Sequence, residues 1–241
     1  MSADGDGELK TSSRYVKPKA LSCTDCHQDP LDCCDIFVNA GTPLILGGSF
    51  NPPHHGHLIT ARAVAERAGF RRVRLMVAGA PPHKPGQEDI APAADRVAMC
   101  RAAVAGDPSF EVDDRETRRA GPSYTLLTAR ELQAEPEFAG QAVPWLIGAD
   151  LLPGLMTWHE AEQLLAGELV RFVVMARPGS PIDWEGLPPA VAGLRGNVIE
   201  APQIDISATE IRRRVKEGRD IRYLVPEAVR DYILDQGLYR G

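Results

Sequence analysis

The chain has 241 residues, 44% of them hydrophobic and 25% charged, enough apolar material to bury a full core in one main domain. A formal net charge of −6 argues against a polyanion-binding face, which needs clustered Lys and Arg in excess, so no nucleic-acid partner is expected and any phosphate site has to be local. No apolar run approaches the roughly 20 residues that cross a bilayer, and Asp, Glu and Lys occupy the first thirty positions where a signal peptide is apolar, so the sequence reads as cytoplasmic with no membrane partner.

Residues 1–40 carry seven acidic and four basic side chains and show neither a strand nor a helix period, which predicts a flexible N-terminal extension ahead of one domain over 41–241. Four of the five cysteines, Cys23, Cys26, Cys33 and Cys34, lie in this leader. Cys23-Thr24-Asp25-Cys26-His27 spells a C-x-x-C-H, but haem attachment also needs export and an axial-ligand fold, and the spacing to Cys33 and Cys34 is irregular for zinc. No stoichiometric metal or haem is expected there.

From Thr42 the character changes. Pro43, Leu44, Ile45 and Leu46 form a continuous apolar run ending at Gly47 and Gly48, as in a strand covered on both faces. Leu58, Ala61, Ala65 and Ala68 then share one helical face, closed by Gly69. The alternation continues with a strand at Val73–Val77 and helices from about Asp95 to Ala105 and from Thr125 to Gln133. A strand at Trp145–Gly148, a helix near Ala161 and a strand at Arg171–Ala176 follow. This βαβ rhythm predicts an α/β fold, a Rossmann-like doubly wound parallel sheet whose ligands bind beyond the carboxyl ends of the strands. Ala208–Lys216 and Pro226–Gln236 read as a helical C-terminal end, with Pro226 in the first turn of the second helix.

The first strand and first helix are joined by Gly47-Gly48-Ser49-Phe50-Asn51-Pro52-Pro53-His54-His55-Gly56-His57. Backbone N–H groups and the positive end of a helix dipole favour an anion at such a junction, and paired glycines let the backbone approach it. His54 and His57 are three residues apart, so both imidazoles can leave the same side of the first turn as donors to one phosphate, whereas His55 points away. Neither a P-loop nor a G-x-G-x-x-G fingerprint is present. His54-His55-Gly56-His57 resembles the H-x-G-H signature of the nucleotidyltransferase superfamily, Rossmann-like enzymes that transfer a nucleoside monophosphate from a nucleoside triphosphate. Ile206-Ser207-Ala208-Thr209-Glu210-Ile211-Arg212 reads as a second helix N-terminus, capped by Ser207 or Thr209, with Arg212 one turn on. It resembles the superfamily's I-S-x-T-x-x-R. Arg213 and Arg214 read as surface charges.

Between the two motifs lie Pro81-Pro82-His83-Lys84, then Glu116 to Thr125 with Gly121-Pro122-Ser123-Tyr124-Thr125, then Gly148-Ala149-Asp150 with Trp158, and Arg177-Pro178-Gly179. This series, from about Leu44 to Tyr239, resembles the nicotinate mononucleotide adenylyltransferases. The resemblance implies transfer of the adenylyl group of ATP to nicotinate mononucleotide, with release of pyrophosphate. It implies that His54, His57 and Arg212 serve catalysis at the triphosphate, with Gly47, Gly48, Ser49, Phe50, Ser207 and Thr209 in the ATP site and Gly148 and Asp150 at the adenosine ribose. Lys84, Tyr124, Thr125, Trp158 and Arg177 would line the mononucleotide side, and Mg²⁺ would come as the triphosphate counter-ion. Asn51 stands where many relatives have Asp, and the leader lies outside the match. The rival readings are a related transferase acting on phosphopantetheine or a polyol phosphate, and a non-catalytic nucleotide-binding module; monomer and homo-oligomer both stay open.

Overall fold

The computed structural model describes residues 41–80 and 90–240. The leader cysteines and Lys84 lie outside the described residues. No helix among the described residues is long and apolar enough to cross a membrane.

Six parallel strands form one sheet in the order β3-β2-β1-β4-β5-β6: β1 (Leu44–Gly48), β2 (Val73–Val77), β3 (Phe110–Asp113), β4 (Val143–Gly148), β5 (Val170–Ala176) and β6 (Val198–Glu200). This is the doubly wound arrangement expected from the sequence. After β1 the chain moves outward to β2 and β3, then returns to lay β4 against the other side of β1. Successive loops therefore diverge at the carboxyl ends of β1 and β4 and leave a crevice there.

The apolar run of β1 is central for a physical reason: Leu44 and Ile45 are wholly buried because strands flank them on both sides and helices cover both faces. The two edge strands, β3 and β6, were not expected from the sequence. Their short segments, Phe-Glu-Val-Asp and Val-Ile-Glu, place acidic residues among the apolar ones, as an edge permits, so no continuous apolar run marks them.

The helices are α1 (His55–Arg67), α2 (Ala93–Ala103), α3 (Arg115–Arg118), α4 (Thr125–Gln133), α5 (Ala161–Leu165), α6 (Pro189–Ala192), α7 (Ala208–Lys216) and α8 (Glu227–Asp235). Gly69, at φ +79°, follows the last turn of α1, where a left-handed residue ends a helix. Helix α2 begins and ends two residues earlier than expected, with Pro92 as its N-cap. Pro226 is the N-cap of α8 rather than a residue of its first turn. A 3₁₀ segment at Ala149–Thr157, interrupted by Pro153, leads from β4 to α5.

Two apolar cores form among the described residues. One gathers Phe138, Trp145, Leu152, Leu155, Phe172 and neighbours around β4 and β5. The other joins Met99 of α2, Ile211 and Val215 of α7, and Val229 and Ile233 of α8. The second core matters for the site. Ile211 and Ile233 are fully buried, and burial of an aliphatic side chain contributes roughly 1.5–3 kcal/mol, so apolar packing rather than any single polar contact fixes where α7 lies.

At the end of β2, Gly79 runs so close to α3 that a Cβ would fall on the Glu116 carbonyl oxygen, 2.9 Å from its carbon and 3.1 Å from Thr117 Cα. These are backbone atoms and cannot rotate away. Gly79→Ala is expected to destabilise the fold by about 1–3 kcal/mol, read as a lower urea midpoint with unchanged slope.

Candidate active site

The turn from β1 into α1 is built around residues that leave little freedom. Gly47 makes room for the Trp145 indole, whose Cζ2 would lie 3.1 Å from an added Cβ. Gly48 does the same for Phe50, whose Cζ would also lie at 3.1 Å. Phe50 itself is held in the left-handed region at φ +47° with only 3% of its surface exposed. Its ring meets that of His57 edge-on, with centroids 5.2 Å apart. The Phe50 side chain thus supports the His57 ring from within.

His54 is the N-cap of α1 in an extended conformation, and its imidazole is buried at 6% exposure. The rings of His54 and His57 leave the same side of the first turn and stack at 3.6 Å with an interplanar angle of 24°, a contact that the sequence reading did not include. The His54 backbone N–H donates to Nδ1 of His57 at 3.3 Å. With Nδ1 accepting, a neutral His57 carries its proton on Nε2, the nitrogen turned away from the backbone. No described residue partners Nδ1 of His54. His55 is anchored by its main chain, its N–H donating to the Leu224 carbonyl at 3.0 Å.

Gly56, between the histidines, is required by the His54 ring: a Cβ would stand 2.9 Å from Nδ1 and 3.1 Å from Cε1. Glycine is thus the residue that lets the buried imidazole lie flat against the helix start.

Helix α7 brings the second motif to this turn. Nη1 of Arg212 donates to the Asn51 carbonyl at 3.0 Å, across 161 positions of sequence. Nη2 lies 3.5 Å from Thr209 Oγ1. Ser207 is the N-cap of α7, yet its hydroxyl makes no cap hydrogen bond, and both Ser207 and Thr209 are accessible. Their oxygens and the N-terminus of α7 therefore remain open to an anion. Arg213 pairs with Glu210 and Glu217, and Arg214 with Glu210, outside the turn.

Asn51, whose side chain the sequence left without an assigned role, is buried at 5% exposure. Its Oδ1 accepts from the Ala91 N–H at 3.0 Å and from the Tyr239 hydroxyl at 2.7 Å. Sequence reasoning also missed Arg96, whose guanidinium lies beneath the same turn. The readable signal was a cation three and four residues before Met99 and Cys100 on the buried face of α2.

The loops after β2 and β3 are tied together on the other side of the turn. The Gly79 N–H donates to Ser123 Oγ at 2.9 Å and the Ser123 N–H to the Ala80 carbonyl at 3.0 Å. Thr128 Oγ1 donates to Glu116 at 2.6 Å, and burial pushes the Glu116 carboxyl above its ordinary range despite that bond. Tyr124 is the N-cap of α4 and Thr125 its first residue. The Tyr124 ring stacks on His159 at 4.3 Å, which joins this loop to the one after β4; His159 was not foreseen. Trp158, beside it, packs on the β4–β5 core and meets Phe172 edge-on at 6.2 Å. Asp150 is exposed just past β4, with its carboxylate folded back over Gly148. Arg177 is exposed beyond β5, and its carbonyl accepts from the Ser180 N–H at 3.1 Å.

These groups suit polyphosphate binding and transfer. The donors converge from two helix N-termini, two stacked imidazoles and one guanidinium, and among the described residues no group of three or more His, Cys, Asp or Glu side chains is placed to hold a metal ion. Negative charge at the site would be met by hydrogen-bond donors and helix dipoles.

Burial and the neighbouring His55 push His54 from the ordinary 6.5 down to about 4. The unfolded chain then takes up this proton at a higher pH than the folded chain, so the His54 contribution to stability is complete above about pH 6.5 and is lost as the pH falls toward 4. Urea titrations of wild type and His54→Asn should diverge in this window at up to about 1.4 kcal/mol per pH unit and run parallel above it. Parallel curves throughout would place the proton elsewhere. Gly56→Ala, which forces the His54 ring off its stack, should lower catalytic turnover at least about tenfold while the chain still folds, as read by steady-state rates beside circular dichroism.

Residues 45–214 match the family model described as cytidylyltransferase-like. The probable nicotinate-nucleotide adenylyltransferase of Thermomicrobium roseum is 42% identical over 198 residues, covering 81% of this chain and 90% of the relative. That of Thermus thermophilus is 43% identical over 196 residues, covering 81% and 98%. Among solved structures, Plasmodium falciparum nicotinic acid mononucleotide adenylyltransferase complexed with APC shares the fold at a TM-score of 0.62 and 18% identity, over 83% of this chain and 97% of that one. Its complex with NaAD gives a TM-score of 0.60 at 19% identity, over 82% and 97%. This chain, with its 3-2-1-4-5-6 parallel sheet and with Arg212 brought to the turn that carries the stacked His54–His57 pair, belongs to the nicotinate-nucleotide adenylyltransferases within the cytidylyltransferase-like family.

Proposed function

We propose that this protein transfers the adenylyl group of ATP to nicotinate mononucleotide, forming nicotinate adenine dinucleotide and pyrophosphate. The observation that carries this reading is the placement of Arg212 against the turn that holds the His54–His57 stack. Two families of phosphate donors, remote in sequence, meet at the crevice between β1 and β4. The relatives' names supply the choice of mononucleotide.

In this mechanism the 5′-phosphate of the mononucleotide attacks the α-phosphorus of ATP in line. The new P–O bond forms as the bond to the β-phosphate oxygen breaks, and pyrophosphate leaves with the electron pair. The attacking phosphate is already an anion, so no protein base is needed. The chain's work is alignment and charge stabilisation. His57 donates through Nε2–H to the triphosphate as negative charge moves onto the leaving oxygens. His54, neutral at pH 7 in its buried site, fixes the His57 ring and the start of α1. Arg212 and the hydroxyls of Ser207 and Thr209 hold phosphate oxygens, while Gly47, Gly48 and Ser49 let the backbone approach them. Gly148 and Asp150 meet the ribose. Tyr124, Thr125, Trp158 and Arg177 line the mononucleotide side, with Trp158 offering a flat face for a pyridine ring. Lys84 is assigned to this side by its place in the sequence, between β2 and α2. Mg²⁺ would accompany ATP as the counter-ion of the triphosphate, where it would neutralise charge on the phosphate oxygens.

Incubation with Mg²⁺-ATP and nicotinate mononucleotide should release pyrophosphate, and phosphopantetheine or a polyol phosphate in its place should not. His57→Ala should lower kcat by about a hundredfold or more and leave the Kd for the mononucleotide within about threefold. Full turnover in that variant would remove His57 from the transition state.

A further inference from the structure

Helix α2 places Arg96 on the face that also carries Met99 and Cys100, and the residue is 1% exposed. A guanidinium survives in such a place only if its donors are satisfied, because burying an unpartnered charge costs several kcal/mol. Arg96 is satisfied by main-chain carbonyls. Nε donates to Ala91 O at 3.0 Å, Nη1 to Ser49 O at 2.8 Å and Ala78 O at 2.6 Å, and Nη2 to Gly79 O at 3.1 Å. None of these acceptors is a carboxylate, so the positive charge is not cancelled by them.

Three of the four carbonyls share a location. Ser49 follows β1 directly, and Ala78 and Gly79 follow β2, at the sheet edge where the two anionic substrates of the proposed reaction would meet. Carbonyls left pointing toward that edge would repel phosphate. The peptide unit is planar and trans, so drawing the Ser49 carbonyl inward turns the N–H of Phe50 the opposite way, toward the ligand side. No described residue accepts that N–H. The same loop is braced a second time by Asn51, whose Oδ1 accepts the Ala91 N–H while Arg96 Nε donates to the Ala91 carbonyl.

We propose that Arg96 is a positioning residue for the phosphate-binding turn: its fork withdraws the carbonyls at the ends of β1 and β2 from the ligand edge, turns the Phe50 N–H outward, and sets a buried cation behind the triphosphate. The proposal deepens the adenylyltransferase reading and rests on it for the identity of ATP as the anion.

The test compares ATP with adenosine, which shares the nucleoside but carries no phosphate. Wild-type Kd values for both are measured first by calorimetry, and absence of ATP binding there would sink the adenylyltransferase reading itself, and this proposal with it. Given wild-type binding, Arg96→Met, similar in length but without charge or fork, should weaken ATP at least about tenfold and change adenosine by less than about twofold. Arg96→Lys, which keeps the charge and loses the fork, should fall between wild type and Met for ATP, again with adenosine unchanged. Equal losses for the two ligands would mean that Arg96 only supports the fold, and unaltered ATP affinity would mean that its charge and fork do not reach the site; either result overturns the proposal. If Arg96→Met does not fold, the Lys variant decides by the same ratio: selective loss of ATP supports the role, and equal loss or none rejects it.

Discussion

The hydrogen bond from Arg212 to the Asn51 carbonyl joins two stretches of chain 161 positions apart, and through it the second motif meets the β1–α1 turn. A single hydrogen bond from a charged donor contributes roughly 1.5–3 kcal/mol, too little to position a helix. The helix is positioned instead by Ile211 and Val215, which sink into the core formed with α2 and α8. With that face buried, Arg212, next to Ile211 on the helix, is delivered to the β1–α1 turn. The meeting of the two motifs is a by-product of apolar packing, finished by a polar contact.

The turn itself works by crowding. Gly47 and Gly48 admit Trp145 and Phe50, and Gly56 admits the His54 ring. Phe50 then meets the His57 ring edge-on, and His54 stacks on it. Because the His54 N–H occupies Nδ1 of His57, the proton of the neutral ring is committed to Nε2 before any substrate arrives. Preorganised donors of this kind need no rearrangement as charge moves in the transition state. Burial keeps His54 uncharged at neutral pH, so the pair does not carry two repelling positive charges in contact.

Opposite this turn, the loops after β2, β3 and β4 are fastened to one another by Ser123, Glu116 with Thr128, and the Tyr124–His159 stack. In the proposed reaction the two substrates would meet differently constructed sides: helix N-termini and cations for the triphosphate, aromatic rings and a loop clasp for the mononucleotide. Arg96 lies where the two sides share a floor, since its carbonyl partners belong to the ends of both β1 and β2.

Local pattern determined the central strands, the helices with continuous apolar faces, and both sequence motifs, because periodicity and the need for glycine at Gly48 and Gly56, imposed by Phe50 and His54, are written in neighbouring residues, whereas Gly47 answers to the distant Trp145. Helices α4 and α7 have the limits their sequences suggested. Edge strands β3 and β6 escaped notice because an edge tolerates charge and needs no long apolar run. What only tertiary structure decided are the contacts made across long separations: Tyr239 with Asn51, Arg212 with the Asn51 carbonyl, His159 with Tyr124, and Arg96 with the carbonyls of two strands. No local rule places these partners, since each depends on which strand lies beside which and on how the helices pack across them; an arginine on an apolar helical face announces that carbonyls or carboxylates await it, and only the folded sheet says which.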